Sequence, residues 1–109
     1  MGIQAFTKTG NTVVFTANTT APTPVQALST TLGGNQYRII NSGNVTVFLG
    51  YGATAADATA NAANVTSSQA AFPLLPSTDE ILTFTPNAYF TGVTSSGTAQ
   101  VYITPGDGL

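Results

Sequence analysis

Residues 36–52 read QYRIINSGNVTVFLGYG, two runs rich in β-branched and aromatic residues on either side of the turn sequence NSGN. Such runs around a turn that contains Asn and Gly are typical of a β-hairpin. The glycines of GYG, at residues 50–52, mark the end of the second run. We therefore predict a hairpin at the centre of the fold, and no motif within it carries catalytic chemistry.

Side chains along this stretch alternate with a period of two, which is typical of strands that turn one face to a core. One side of the predicted hairpin is apolar: Tyr37, Ile39, Val45, Val47 and Leu49. The other side carries Arg38, Ile40, Thr46 and Phe48. Two of these four are large and apolar, which is unusual for a solvated face. We therefore expect a cover over this second face, either an N-terminal arm (residues 1–7) or another subunit.

Further β-rich runs lie on both sides of residues 36–52, separated by clusters of Gly, Pro, Asn and Ser. A first hairpin is expected within residues 1–18, and residues 71–76 contain two prolines, which restrict them to an edge strand or a packed loop. Six to eight short strands at even spacing indicate a sandwich or a jelly roll. The prediction is one all-β domain over residues 1–109, an antiparallel β-sandwich that is jelly-roll-like, with other strands at 12–16, 25–28, 81–85, 88–94 and 98–104.

Two segments are predicted to lie outside the strands. Residues 53–70 are rich in Ala, Thr and Asn and lack large apolar anchors, so we expect a long loop with at most a helical turn. Long loops in compact domains often serve binding. Residues 105–109 read PGDGL and are expected to form a short tail.

The composition excludes several classes of function. Charged residues make up 6% of the 109-residue chain, against about 25% in an average globular domain. Two basic residues cannot form a phosphate-neutralising stripe or a membrane-binding patch, so we expect neither nucleic acid nor membrane as a partner. The chain has no Cys and no His, and we expect no metal and no cofactor. A net charge of −2 gives little repulsion between copies, which favours a subunit that works in an assembly.

The acidic residues are the remaining candidates for catalysis: Asp57, Asp79, Glu80 and Asp107. A glycosidase needs two carboxylates that face each other across one bond. Asp79 and Glu80 are sequence neighbours and would point to opposite faces of a strand. Asp79 and Asp107 are interpreted as turn residues, and we predict no catalytic residue and no enzyme. A small hydrolase that uses Asp57, Asp79 or Glu80 is the hypothesis to be tested against this prediction.

The second half of the chain resembles a known class of proteins. Its sequence features are FPLLP at 72–76, DEILTF at 79–84 and the closing run SGTAQVYITPGDG at 96–108. Together with the turn at 41–44, they are similar to small structural proteins encoded among the head genes of tailed phages. The resemblance implies a capsid decoration (cement) protein on the outer surface of a virion, with the major capsid protein and further copies of itself as partners. A trimer is the oligomer that the resemblance favours.

The resemblance and the composition lead to the same hypothesis, a non-enzymatic structural protein that stabilises a capsid. Residues 1–6 lack the features of a secretory signal, so we expect synthesis in a host cytoplasm. The alternative is a carbohydrate- or receptor-binding β-sandwich of a phage tail or fibre, which would present exposed tyrosines beside the 53–70 stretch. Apolar residues predicted to form interfaces are Ile3, Phe6, Ile40, Phe48, Tyr51 and Phe72.

Overall fold

The computed structural model of the chain describes residues 7–29, 35–62 and 71–107. Strands account for most of the regular structure in these ranges, and one short helix follows the fifth strand. In chain order the elements are β1 (Thr7–Lys8), β2 (Val13–Ala17), β3 (Val25–Gln26), β4 (Gln36–Asn41), β5 (Val47–Gly52), α1 (Ala55–Asn61), β6 (Phe72–Leu74), β7 (Thr78–Thr83), β8 (Tyr89–Val93) and β9 (Ala99–Asp107).

The strands form two antiparallel sheets that pack face to face. Sheet A has the order β1-β9-β4-β7, and β2 follows β1 along the same edge of β9. Sheet B has the order β3-β8-β5-β6. The predicted all-β sandwich is thus confirmed.

The strand pairing is that of a jelly roll. The first half of the chain runs antiparallel to the second half, and the neighbours are β2 with β9, β3 with β8, β4 with β7 and β5 with β6. Successive pairs fall alternately in sheet A and sheet B. The β4–β9 and β5–β8 contacts then join these pairs into two sheets. A long antiparallel ribbon wrapped in this way is the jelly-roll arrangement.

The predicted hairpin at 36–52 has the right strands and the wrong pairing. β4 belongs to sheet A and β5 to sheet B, so residues 42–46 cross between the sheets. A period of two says only that a strand has one apolar face. The apolar face of each strand points to the core if the two strands form a hairpin. It also points to the core if the two strands belong to opposite sheets. Of the hairpin expected within residues 1–18, the structure describes residues 7–18, where β1 and β2 both pair with β9 and not with each other.

The last strand is longer than predicted. β9 continues to Asp107, where residues 105–109 were expected to form a tail. Pro105 lies opposite Tyr37 of β4 and is fully buried, and its carbonyl accepts a hydrogen bond from Thr9 N at 2.9 Å. Proline lacks only the donor, so it is tolerated where its carbonyl still has a partner.

The core lies between the two sheets and contains the side chains that the alternation predicted. Tyr37, Ile39, Val47 and Leu49 have no exposed surface. Aromatic rings fill one part of this core, where Tyr37 packs edge-on against Phe90 with ring centroids 5.0 Å apart. The other members of the core cluster are Phe15, Ala17, Ala27, Leu74, Ala88, Phe90, Ala99, Val101 and Ile103.

The stretch predicted to be a long loop contains a helix. α1 begins after Thr54, whose hydroxyl accepts a hydrogen bond from Asp57 N at 3.1 Å and so caps the first turn. The helix packs on β5, where a Cβ at Gly50 would overlap main-chain atoms of Ala58 and Ala62. The absence of side chains at Gly50 and Gly52 thus gives the helix a docking place, which replaces the large anchors that the helix lacks. Residues 63–70 lie outside the described ranges.

Candidate interaction surface

The outer face of sheet A carries apolar side chains exposed to solvent. Val14 is 46% exposed and Ile81 is 53% exposed, while Ile40 and Tyr102 are half-buried. The strand register places Val14 beside Tyr102 and Tyr102 beside Ile40, so these three form a row across β2, β9 and β4. We call this surface the open face; it consists of Val14, Thr16, Arg38, Ile40, Asp79, Ile81, Gln100, Tyr102 and Thr104.

The outer face of sheet B, in contrast, is covered by the chain itself. α1 lies over Gly50 and Gly52 of β5. On β8, Thr91 is fully buried and its hydroxyl donates to the carbonyl of Pro22 at 2.8 Å. Phe48 lies on this face between Val93 and Pro73 and is half-buried. Among the described residues, α1 and the connector at Pro22 therefore cover this side of the sandwich, and the N-terminal arm predicted as a cover lies outside the described ranges except for Thr7.

An ion pair lies at one side of the open face. Arg38 donates from Nε and Nη2 to Oδ2 of Asp79, at 3.1 and 2.8 Å. Each side chain is 50% exposed, so water screens the attraction and the pair contributes little to stability. The pair borders an open cleft of about 300 Å³ at the β4–β7 end of the face, lined by Arg38, Ile40, Asn41, Ser42, Ser77, Thr78 and Asp79.

Asn41 forms the floor of this cleft and is fully buried. Its Nδ2 donates to the carbonyls of Val45, Leu74 and Leu75 at 2.9, 3.1 and 3.2 Å. Its Oδ1 accepts from Gly43 N at 3.0 Å. One amide thus ties the β4–β5 crossing to the β6–β7 crossing. Because both N–H groups of the amide are used inside the protein and the side chain is fully buried, Asn41 has no donor to offer a ligand in the cleft.

Tyr37 has a similar structural function at the opposite end of β4. Its hydroxyl donates to the carbonyl of Thr85 at 2.6 Å and accepts from Ala88 N at 3.1 Å. Burial raises the pKa of Tyr37, and the backbone hydrogen bonds of Ala88 and Asn87 oppose part of that rise. This buried phenol closes the β7–β8 turn and lies away from the open face.

Of the six residues predicted to form an interface, the four that the structure describes do not form one common surface. Ile40 lies on the open face and Phe48 on the outer face of sheet B. Tyr51 and Phe72 pack against the core, and the ring centroid of Tyr51 lies 3.7 Å from that of Phe84. Ile3 and Phe6, like most of the predicted arm at 1–7, lie outside the described ranges; Thr7 is in β1.

Sequence reasoning missed Val14, Ile81 and Tyr102, which the strand register places on the open face with Ile40. The sequence contained part of the information needed to place Val14 on an outer face. Val14 follows Val13 and precedes Phe15, and such an unbroken apolar run puts an apolar side chain on each face of a strand. Only the tertiary pairing showed that these residues come from four adjacent strands.

The acidic residues lie on different sides of the molecule. Asp79 is on the outer face of sheet A, and Asp57 is on α1, which covers the outer face of sheet B. Glu80 lies opposite Ile39, on the core side of edge strand β7. Asp79 and Asp107 lie in strands, so their interpretation as turn residues is wrong. Within residues 7–29, 35–62 and 71–107, no three His, Cys, Asp or Glu side chains come together to hold a metal ion.

No family model, no curated protein and no solved structure matches this chain. Across the described part of the chain, no helix has the length and apolar character needed to cross a membrane.

Proposed function

We propose that this protein is a non-enzymatic structural component of a virion, a decoration protein that binds the outer surface of a capsid and stabilises the shell. The observation that carries the proposal is the contrast between the two outer faces of the sandwich. One face is covered by the chain's own helix and connector, and the other exposes an apolar row. Contiguous exposed apolar surface is characteristic of proteins that work in contact with other proteins.

The mechanism is linkage between binding and assembly. A protein that binds the assembled shell, and not its separated subunits, stabilises the shell by a free energy that rises with the logarithm of its concentration over its dissociation constant. A rigid sandwich suits this function because little conformational freedom is lost on binding. Exposed side chains at both ends of the sandwich offer further contacts. Leu28 lies near Pro105 at one end and Leu75 near Asn41 at the other, and both are exposed.

The placement of the carboxylates supports a non-enzymatic function. A hydrolase built on Asp57, Asp79 or Glu80 needs two of these groups to face one bond. Asp57 and Asp79 lie on opposite sides of the sandwich, and Glu80 lies on the side of β7 opposite to Asp79. Asp79 also accepts two hydrogen bonds from Arg38, which holds the carboxylate in an ion pair.

The alternative, a carbohydrate- or receptor-binding module, predicts an exposed cluster of tyrosines beside the 53–70 stretch. The four tyrosines are instead distributed over the fold. Tyr37 and Tyr51 pack in the core, Tyr89 lies on β8 of sheet B, and Tyr102 lies on the open face. This distribution favours the structural function. A glycan array probed with the purified protein tests the alternative, and specific binding to one glycan class would support it.

The test of the main proposal is a binding experiment with capsid shells. Expanded shells assembled from a tailed-phage major capsid protein, stripped of decoration proteins, are mixed with the purified protein and sedimented. We expect saturable binding at a fixed ratio to the major capsid protein and a higher temperature of shell disruption. A well-folded protein that remains in the supernatant at all concentrations, and leaves shell disruption unchanged, would overturn the proposal.

A further inference from the structure

We infer that the open face binds the open face of a second copy of this chain, about a two-fold axis that brings Arg38 of each copy opposite Asp79 of the other. The inference rests on the proposed function in one respect, that the protein works as part of an assembly. It goes beyond that function because it names the contact surface, the symmetry and the residues that decide the pairing.

The apolar part of the contact is the row across three strands. Val14, Tyr102 and Ile40 are direct cross-strand neighbours. Side chains in such positions lie about 5 Å apart and present a continuous ridge. Ile81 of β7 extends this apolar area beside Arg38, its cross-strand partner. Besides the Arg38–Asp79 pair, the polar groups around the row are uncharged, and two hydrogen bonds join them: Tyr102 donates to Gln100 Oε1 at 3.0 Å, and the hydroxyls of Thr12 and Thr104 lie 2.7 Å apart.

The charges on the face identify the occupant. Arg38 and Asp79 lie side by side on the face and each is half exposed, and Lys8 lies on the same side of sheet A, opposite Gly106 at the far end of β9. The Arg38–Asp79 pair itself has no net charge, so this part of the surface offers little attraction to a strongly acidic or basic partner. It is complementary to itself when one copy is rotated by 180°, because the rotation places each positive group over a negative one. The chain's net charge of −2 adds only weak repulsion between two copies.

Pairing by the strand edges is opposed by several features, which leaves the face as the surface for association. Edge strand β7 carries Glu80 on its core side, and an inward-pointing charge discourages the addition of another strand. Edge strand β6 has three residues and contains Pro73. β3 has two residues, and the remaining edge of sheet A is interrupted between β1 and β2.

The experiment measures self-association by sedimentation velocity over a range of concentrations. We expect the wild-type protein to form a dimer whose population rises with concentration. Arg38→Asp gives two anions on the face and Asp79→Arg gives two cations, so each variant alone should associate at least about tenfold more weakly. An equimolar mixture of the two variants should recover the dimer mass. Mixing cannot restore the ion pair within a chain, so recovery of the dimer mass would show that residues 38 and 79 of different copies contact each other.

Two matched serine variants test the apolar part of the contact. Ile81→Ser removes an apolar side chain from the open face, whereas Leu28→Ser removes one of similar exposure, 49%, outside the face. We expect weaker association for Ile81→Ser and unchanged association for Leu28→Ser. Thermal unfolding of both variants verifies that they are folded. Equal association of the two variants would contradict the assignment of this face.

The outcomes separate this inference from the proposed function. A wild-type protein that remains monomeric at every concentration, or an oligomer (including the trimer favoured by the resemblance) that both charge variants leave intact, overturns the inference. Shell binding by such a protein would still support the decoration function. A dimer that responds to the variants as expected but does not bind shells supports the inference and counts against the decoration function.

Discussion

Replacement of Asn41 by Asp tests whether one buried amide holds two crossings of the jelly roll together. The change keeps the size and shape of the side chain and replaces Nδ2, a donor, with an oxygen. That oxygen then faces the carbonyl oxygens of Val45, Leu74 and Leu75, which in the wild type lie 2.9 to 3.2 Å from Nδ2. An ionised carboxylate at this position has no donor to offer and is fully buried.

The magnitude follows from two contributions. The fold can avoid the buried charge by protonating the carboxyl, and for a group with an ordinary pKa of about 3.9 this costs roughly 4 kcal/mol at pH 7. The protonated form donates one hydrogen bond, so at least one of the three carbonyls loses its partner, at about 1 to 3 kcal/mol. The expected loss at pH 7 is therefore about 5 to 7 kcal/mol, comparable with the total stability of a small domain.

The destabilisation by Asn41→Asp also changes with pH, in a direction that follows from the shift of the carboxyl pKa. Because the folded state of the variant favours the protonated carboxyl, its pKa is raised above that of the unfolded chain. The destabilisation therefore grows as the pH rises above about 4 and is smaller in acid. At pH 5 protonation costs only about 1.5 kcal/mol, so the loss relative to wild type should be about 3 kcal/mol smaller than at pH 7.

The assay is urea unfolding followed by circular dichroism at pH 5 and pH 7. Asn44→Asp is the matched control, since it makes the same chemical change at an exposed position in the same crossing. It should shift the free energy of unfolding by no more than about 0.5 kcal/mol. Equal midpoints for the two variants at pH 7, or a larger loss for Asn41→Asp at pH 5 than at pH 7, would refute the assignment.

Three further predictions concern the core, the helix and the ion pair. Tyr37→Phe removes the hydroxyl that closes the β7–β8 turn and should cost about 1 to 3 kcal/mol in urea unfolding at pH 7. Because burial raises the pKa of Tyr37, the hydroxyl's contribution to wild-type stability persists below about pH 10 and declines above it. The variant should therefore lose less stability than the wild type in alkaline solution. Gly50→Ala forces a methyl group against the main chain of α1 and should speed hydrogen exchange of the α1 amides while the β9 amides stay protected, at a cost of about 1 to 3 kcal/mol; unchanged exchange in α1 would contradict the docking. Arg38→Ala breaks an ion pair in which both side chains are half exposed, so the unfolding free energy of the monomer at low concentration should change by less than about 1 kcal/mol, and a larger loss would show that the pair stabilises the fold itself.

The fold class was predictable because the alternation of residues in each strand shows which of its faces is apolar. The alternation at Ile39, Val47 and Leu49 requires one buried side per strand, and all three are fully buried. The partner of each strand was not predictable in the same way. A turn such as NSGN bends the chain, but it does not decide whether the next strand stays in the same sheet or crosses to the other. Asn41 decides the crossing here, through hydrogen bonds to residues more than 30 positions away.

The candidate surface was predictable at one position and not as a whole. Ile40 stood out because an apolar residue occupied the outward side of a strand. Its neighbours on the open face come from β2, β7 and β9, which are separated from it by many residues along the chain. Tyr51 and Phe72 were also assigned to an interface, and they pack against the core because both lie on the inward side of sheet B: Phe72 is opposite Leu49, and Tyr51 is two residues after it.

The sequence by itself determined the β class, the inward side chains of β4 and β5, the scarcity of charge and the edge position of the strand that contains Pro73. These are local properties, fixed by side-chain chemistry and a period of two. Only the tertiary structure decided that β4 and β5 belong to different sheets, that GYG is the docking place of α1, and that one outer face is covered while the other is open. The sheet assignment and the difference between the two outer faces depend on which distant segments meet, and the free energy of such contacts is not encoded in any single stretch. The docking of α1 depends on the space that Gly50 and Gly52 leave on β5.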